Sequence, residues 1–218
     1  MVKYAPVIAL SVLGGLVSIA LWIEDTPRSL RASRTIAYRL ALVSEQTLVH
    51  SPTGFAFPGD VGPFRRENGM RRYDSEGRDV SIGYNVAPHS LDFIAMTVYV
   101  YPAPDLSVGI TADNSLDKHF RQVEADVLGH DGGARLLYEQ TVDFDQPFLP
   151  RHARRAVFAT TPSWGPSFSE ALLFRAGKWF VLYRASYRQS CGQRCADRVR
   201  EFVLSLRRPD SLLKERRQ

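Results

Sequence analysis

Five histidines (His50, His89, His119, His130 and His152) and two cysteines (Cys191 and Cys195) are the residues of this 218-residue chain best suited to metal binding or nucleophilic chemistry. Their spacing supports neither. No two histidines stand as H-x-x-x-H or H-E-x-x-H, the spacings that put two imidazoles on one helix face around zinc. His89 with Asp92, and His130 with Asp131, are His–Asp neighbours in polar loops. A catalytic base needs its partner at a fixed distance, which adjacency in a turn does not supply. The run Gly129-His130-Asp131-Gly132-Gly133 has the texture of a loop offering backbone N–H groups to an oxyanion. The chain lacks the G-x-S-x-G nucleophile elbow that would complete such a site. A helix end followed by entry into a strand explains the glycines. No catalytic residue, metal ligand or cofactor-binding residue is assigned.

Cys191 and Cys195 are four apart beside Gly192. Oxidoreductase pairs are usually C-x-x-C at a helix N-terminus, so the expected role is a structural disulfide, with free thiols, or a metal or redox function, as alternatives. A bridge closes most readily with Cys191 in a turn and Cys195 in the first turn of a helix. The aromatics Tyr99, Tyr101, Phe168, Trp179 and Tyr183 are candidates to line a ligand pocket, and core packing explains most of them equally well. Trp164 sits in Thr161-Pro162-Ser163-Trp164-Gly165-Pro166-Ser167, too proline-rich for a strand, and is a candidate contact surface or a ring tucked over a sheet edge. The net charge of +5 comes in arginine clusters at Arg65-Arg66, Arg71-Arg72, Arg151 with Arg154-Arg155, and in the tail. None is interleaved with the stacking aromatics of a single-strand binder, and no nucleic-acid partner is expected.

The elements that must position these residues follow from periodicity. Ala5 to Ile23 is uncharged over nineteen residues, between Lys3 and Glu24-Asp25. As a helix it would rise about 28 Å, near the thickness of a bilayer's hydrocarbon core. Residues 1–25 are therefore read as a transmembrane anchor or, with Ser18 and Ala20 as small residues of a cleavage site, a secretory signal. Arg28, Arg31, Arg34 and Arg39 follow it and favour a cytoplasmic C-terminal side. The cysteine pair favours an oxidising, exported compartment, and the latter reading is adopted: a single-pass cell-membrane protein with an exported domain, or a cleaved secreted form. Residues 26–51 read as a linker, 52–208 as a globular domain and 209–218 as a basic tail.

Within the domain, Val80 to Val86 alternates as a half-buried strand, and Phe93 to Tyr101 carries bulky residues on both faces, as a central strand does. Two arms with an Asn68-Gly69 turn precede them. Leu116, Phe120, Val123 and Val127 form one apolar stripe of a helix over Ser115–Leu128, capped by Asp113 or Asn114. Strands follow over 134–144 and 156–161, then a hairpin of 171–175 and 179–187 around Gly177. A last helix runs from about Cys195 to Leu206, with Val199, Phe202, Val203 and Leu206 buried. Strands, helix, strands, helix with short connections predict an α+β fold, an antiparallel sheet with helices packed on it.

Phe55-Ala56-Phe57-Pro58, the strand pair, the Thr97-Val98-Tyr99-Val100-Tyr101-Pro102 strand, the helix, the hairpin and the final helix with Phe202 together resemble the PsbP-like α/β/α sandwich over Pro52 to Leu206. The resemblance implies an accessory or binding role at a membrane surface. The chain departs from the family's pattern in lacking a lipobox cysteine after the leader and in its proline-rich loop around Trp164. The expected function is a membrane-tethered, non-enzymatic envelope domain that binds a protein partner or envelope component. The alternative is a hydrolase or thiol-redox enzyme whose site is assembled from distant residues.

Overall fold

The computed structural model describes residues 47–67, 69–86, 90–106, 111–130, 133–143 and 152–206. All of them belong to one compact unit, Leu42–Gln218. The apolar segment Ala5–Ile23, most of the expected linker, His89 and the basic tail lie outside the described residues. Among the described residues no helix is long and apolar enough to cross a membrane.

Alternating sequences make the strands. β1 (Leu48–His50) and β2 (Phe55–Phe57) form a hairpin, closed through Gly54, whose φ of 71° suits a residue without Cβ. β1 thus lies within residues read from the sequence as linker. Nine strands make the main sheet: β3 (Asp60–Val61), β4 (Phe64–Arg66), β5 (Arg71–Arg72), β6 (Val80–Val86), β7 (Ile94–Pro102), β8 (Arg135–Asp143), β9 (His152–Thr160), β10 (Ser167–Ala176) and β11 (Trp179–Arg188). Their spatial order is β3-β4-β6-β7-β11-β10-β9-β8, with β5 also paired to β6 and every pairing antiparallel. The arms around Asn68-Gly69 do not pair with each other. β4 and β5 lie end to end along β6, with Arg65 opposite Asn85 and Arg71 opposite Ser81.

Because opposed residues of an antiparallel pair share a face, the register divides the sheet cleanly. One face presents Val80, Ile82, Tyr84 and Val86 of β6, Ile94, Met96, Val98 and Val100 of β7, and Val181, Tyr183 and Ala185 of β11. The C-terminal helix α2 (Gly192–Ser205) lays Val199, Phe202 and Val203 on it. Phe202 is 1% exposed, and its ring meets Phe64 at 4.7 Å, Tyr84 at 5.0 Å and Tyr183 at 6.3 Å between centroids. The opposite face holds Phe180 and Leu182, Ala171 and Leu173, Ala156 and Phe158, under Leu116, Phe120, Val123 and Val127 of α1 (Ala112–His130).

The predicted stripe of α1 is the buried one. Its cap is neither Asp113 nor Asn114: the Thr111 hydroxyl accepts from Asn114 N–H at 3.1 Å, and the helix starts at Ala112, three residues before the expected Ser115. It also runs one residue past Gly129, to His130. The polar Ser167-Phe168-Ser169-Glu170 segment, absent from the predicted hairpin, extends β10 along β9 and β11.

Candidate functional site

α1 packs over the strands from β9 to β11, and among the described residues no element packs on the same face over β6, β7 and the end of β11. Reading across those strands, Ser81 lies opposite Tyr99, Gly83 opposite Thr97 and Asn85 opposite Ala95, while Thr97 faces Arg184 and Ala95 faces Ser186. All but Ser81 are half-buried. Glycine, alanine, serine and threonine are short, so the neighbouring walls stand above them. From β6 to β11 is two strand spacings, about 10 Å, enough for one extended segment or one helix.

The walls are identifiable. Tyr73 donates to or accepts from Ser81 Oγ at 3.0 Å and stacks on Tyr99 with centroids 6.5 Å apart. On the β4 side Glu67 hydrogen-bonds Asn85 and lies over Gly83, where a Cβ would meet its Oε2 at 2.9 Å. A side chain at position 83 would push the Glu67 carboxylate aside. At the α1 end, Tyr101 and His119 share a hydrogen bond of 2.8 Å, and His119 stacks on Phe180 at 4.5 Å. At the opposite end stands Trp164. Its ring meets Phe93 edge-on at 5.9 Å, the Arg188 guanidinium lies 5.7 Å from its centroid, and Arg188 Nη1 donates to its carbonyl at 2.7 Å. Trp164 is therefore tucked over the sheet end and forms one end of the trough.

Burial sets the protonation of this surface. It pushes the Tyr99 hydroxyl up, aided by Tyr73, while the Arg184 and Arg71 charges act in the opposite direction. Tyr101 is pushed further up, by burial first and then by Asp79 and Asp126. His119 is held below the ordinary imidazole value by burial, with Asp126 opposing.

A second concavity lies where α2 begins. Cys191 and Cys195 form the expected disulfide, with Cα atoms 5.5 Å apart. Cys191 occupies the N-cap position of α2, Cys195 lies in its first turn, and the two are 6% and 0% exposed. Asp92, in the β6–β7 loop, pairs with Arg194 and with Arg198 Nη1 at 3.4 Å. An open cleft of 710 Å³ is lined by Pro63, Val86, Ser90, Leu91, Asp92, Arg194 and Arg198. Its two arginines share the single carboxylate of Asp92, and the bridge's sulfurs, which do not line it, are too enclosed for exchange with a protein thiol, which requires access.

The described histidines do not converge. His50 is buried, bonded to Thr53 Oγ1 at 2.8 Å and to the Gly77 carbonyl at 3.0 Å, with its ring against Trp179. His152 pairs with Asp143 across the exposed β8–β9 edge, and His130 ends α1. No group of His, Cys, Asp or Glu among the described residues is disposed to hold a metal ion. Arg154 and Arg155 point to opposite faces: Arg154 to Asp117 and Glu139 beside α1, Arg155 to Glu170 at 2.6 Å on the other side. No signal short of the strand register could have gathered the trough, because its floor comes from three strands spread over about a hundred residues.

No protein-family model matches the chain, and no curated protein matches it in sequence. Among solved structures it is similar to cyanobacterial PsbP (CyanoP) from Synechocystis sp. PCC 6803, with a TM-score of 0.46 and 13% identity over 73% of this chain and 89% of that one. It is also similar to the Ran-binding protein Mog1p of Saccharomyces cerevisiae, with a TM-score of 0.42 and 10% identity over 74% of this chain and 91% of that one. The antiparallel sheet with helices packed on it, expected from the sequence, is the arrangement found.

Proposed function

We propose that this chain is a membrane-tethered binding protein whose α+β domain receives a protein partner on the open half of its α1 face, without chemical conversion. Residues 1–25 hold it at the bilayer, and the domain lies on the exported side. The observation that supports the binding role is the trough itself: a strip of short side chains across β6, β7 and β11, bounded by Tyr73, Glu67, α1 and Trp164. An antiparallel sheet can leave a polar face to solvent, so it is the aromatic and charged walls beside the short residues that favour a partner here. The anchor rests on the length and apolarity of Ala5–Ile23.

The test uses the full chain in its native membranes, with a photo-crosslinking side chain at Thr97 or Ser186 and, as a control, at Glu201, an exposed position of α2. The expected result is one adduct of the same mass from both trough positions and none from Glu201. Adducts that are equal at all three sites, or absent from the trough, would overturn the assignment. Recovery of the intact chain in the soluble fraction would overturn the tether.

A further inference from the structure

We propose that Arg71 and Arg184, bracketed by Tyr73 and Tyr99, form a carboxylate-binding subsite in the trough, so that the partner presents an acidic segment there. The proposal rests on the trough being the binding face and specifies the chemistry of what binds.

Register puts the four residues on one face, with the backbones of Arg71 on β5 and Arg184 on β11 three strand spacings, about 14 Å, apart across the sheet and Tyr99 between them. Arg71 is opposite Ser81, Ser81 is opposite Tyr99, and Arg184, facing Thr97, is diagonal to Tyr99 on the same face. Tyr73 reaches back over Ser81 and stacks on Tyr99. Both guanidinium charges act on the Tyr99 hydroxyl. Neither arginine has a carboxylate within 4 Å among the described residues. Arg184 has one weak partner, Ser169 Oγ at 3.4 Å. Other arginines of the sheet are engaged: Arg154 with Asp117 and Glu139, Arg155 with Glu170, Arg65 with Asp60, and Arg175 with Ser115, Gly177 and Pro104. Arg66 and Arg188 have no carboxylate partner among the described residues either but bond carbonyl oxygens, whereas exposed Arg71 and half-buried Arg184 are the two whose charges reach the Tyr99 hydroxyl.

A guanidinium offers five donors in a planar fork that matches a carboxylate. The surroundings confine where that carboxylate sits. Glu67 repels it from the β4 side, and Asp79 and Asp126, which act on Tyr101, repel it from the α1 end. What remains is the strip over Thr97 between the two arginines, with the Tyr73 and Ser81 hydroxyls beside it. An aspartate or glutamate side chain carried on an extended segment or a helix fits both the charge and the width of the trough.

The experiment measures fluorescence anisotropy of a labelled octaglutamate peptide, with octaglutamine for comparison, on the detergent-solubilised full chain at low salt. The expected result is binding of octaglutamate, none of octaglutamine, and a loss of about tenfold for each of Arg71→Gln and Arg184→Gln, the effect of one charge-assisted contact. Arg200→Gln, on α2, should leave the affinity unchanged, and Arg184→Lys should restore part of it. Each variant's thermal transition is recorded, so that loss of fold is not read as loss of binding. Octaglutamate affinity that is absent, or equally reduced by Arg200→Gln, would overturn the subsite. If that occurs while crosslinking at Thr97 persists, the trough still binds a partner but not through carboxylates. If crosslinking also fails, the binding face itself is wrong.

Discussion

Phe202 joins the last helix to the sheet through three aromatic neighbours, Phe64, Tyr84 and Tyr183, and has no route to solvent. Truncating it leaves a cavity that three rings on a rigid sheet cannot fill. Phe202→Ala should destabilise the domain by about 3–5 kcal/mol; a shift below about 1 kcal/mol in chemical denaturation would contradict this packing. Two imidazoles, His50 buried and His119 half-buried, make a second residue-level prediction. Burial holds both His50 and His119 below their ordinary pKa. The unfolded chain therefore binds protons at a pH where the folded chain does not. Stability from these two groups is complete above the unfolded value of about 6.5 and declines as pH falls below it towards the folded values. Asp79 and Glu124, raised by burial, contribute with the opposite sign but in the more acidic carboxylate range. The midpoint of thermal unfolding should drop between pH 7.5 and pH 5.5, and the His50→Asn, His119→Gln double variant should show a shallower drop. An unchanged slope in that variant would assign the effect elsewhere.

Among the elements, α2 is tied down at its start by the Cys191–Cys195 bridge and by Arg194 and Arg198 on Asp92. The loop the bridge closes is short, so the entropy it removes from the unfolded chain is small. Replacing both cysteines by alanine should cost about 2 kcal/mol in denaturant unfolding. A loss well above that would mean the bridge also holds the native Asp92 contacts. How much of this was legible beforehand depends on whether a residue's role is local. The alternation of Val80–Val86 and the stripe Leu116, Phe120, Val123, Val127 each repeat with one element's own period, so strand and helix could be read directly. Thr111 as the α1 cap was missed because the hydrophobic pattern begins only at Leu116. The β10 start was missed because Ser167, Ser169 and Glu170 are polar yet buried, with Glu170 paired to Arg155 and Tyr187. Arg65 and Arg71 read as one hairpin's arms because sequence cannot show that both pair with β6. The trough depends wholly on such non-local register, whereas Trp164 could be singled out from its loop alone.

At the scale of the molecule, the proposed function requires one compartment for the disulfide, the anchor and the partner. The arginines after the apolar segment favour a cytoplasmic domain, while the cysteine pair favours an oxidising space. The structure places both cysteines in a buried bridge at the head of α2. A bridge there would be lost in a reducing cytosol unless its burial excluded reductants throughout synthesis and folding, when the sulfurs are still exposed. Export supplies the oxidising step directly. Trapping thiols in intact cells with acid, then denaturing and adding a mass-tagged maleimide, reads the redox state without relying on the folded domain's accessibility. The expected result is no tag before chemical reduction and two tags after it. Two tags without prior reduction would place the domain in a reducing compartment. The partner facing Arg71 and Arg184 would then have to be sought on the cytoplasmic side of the membrane.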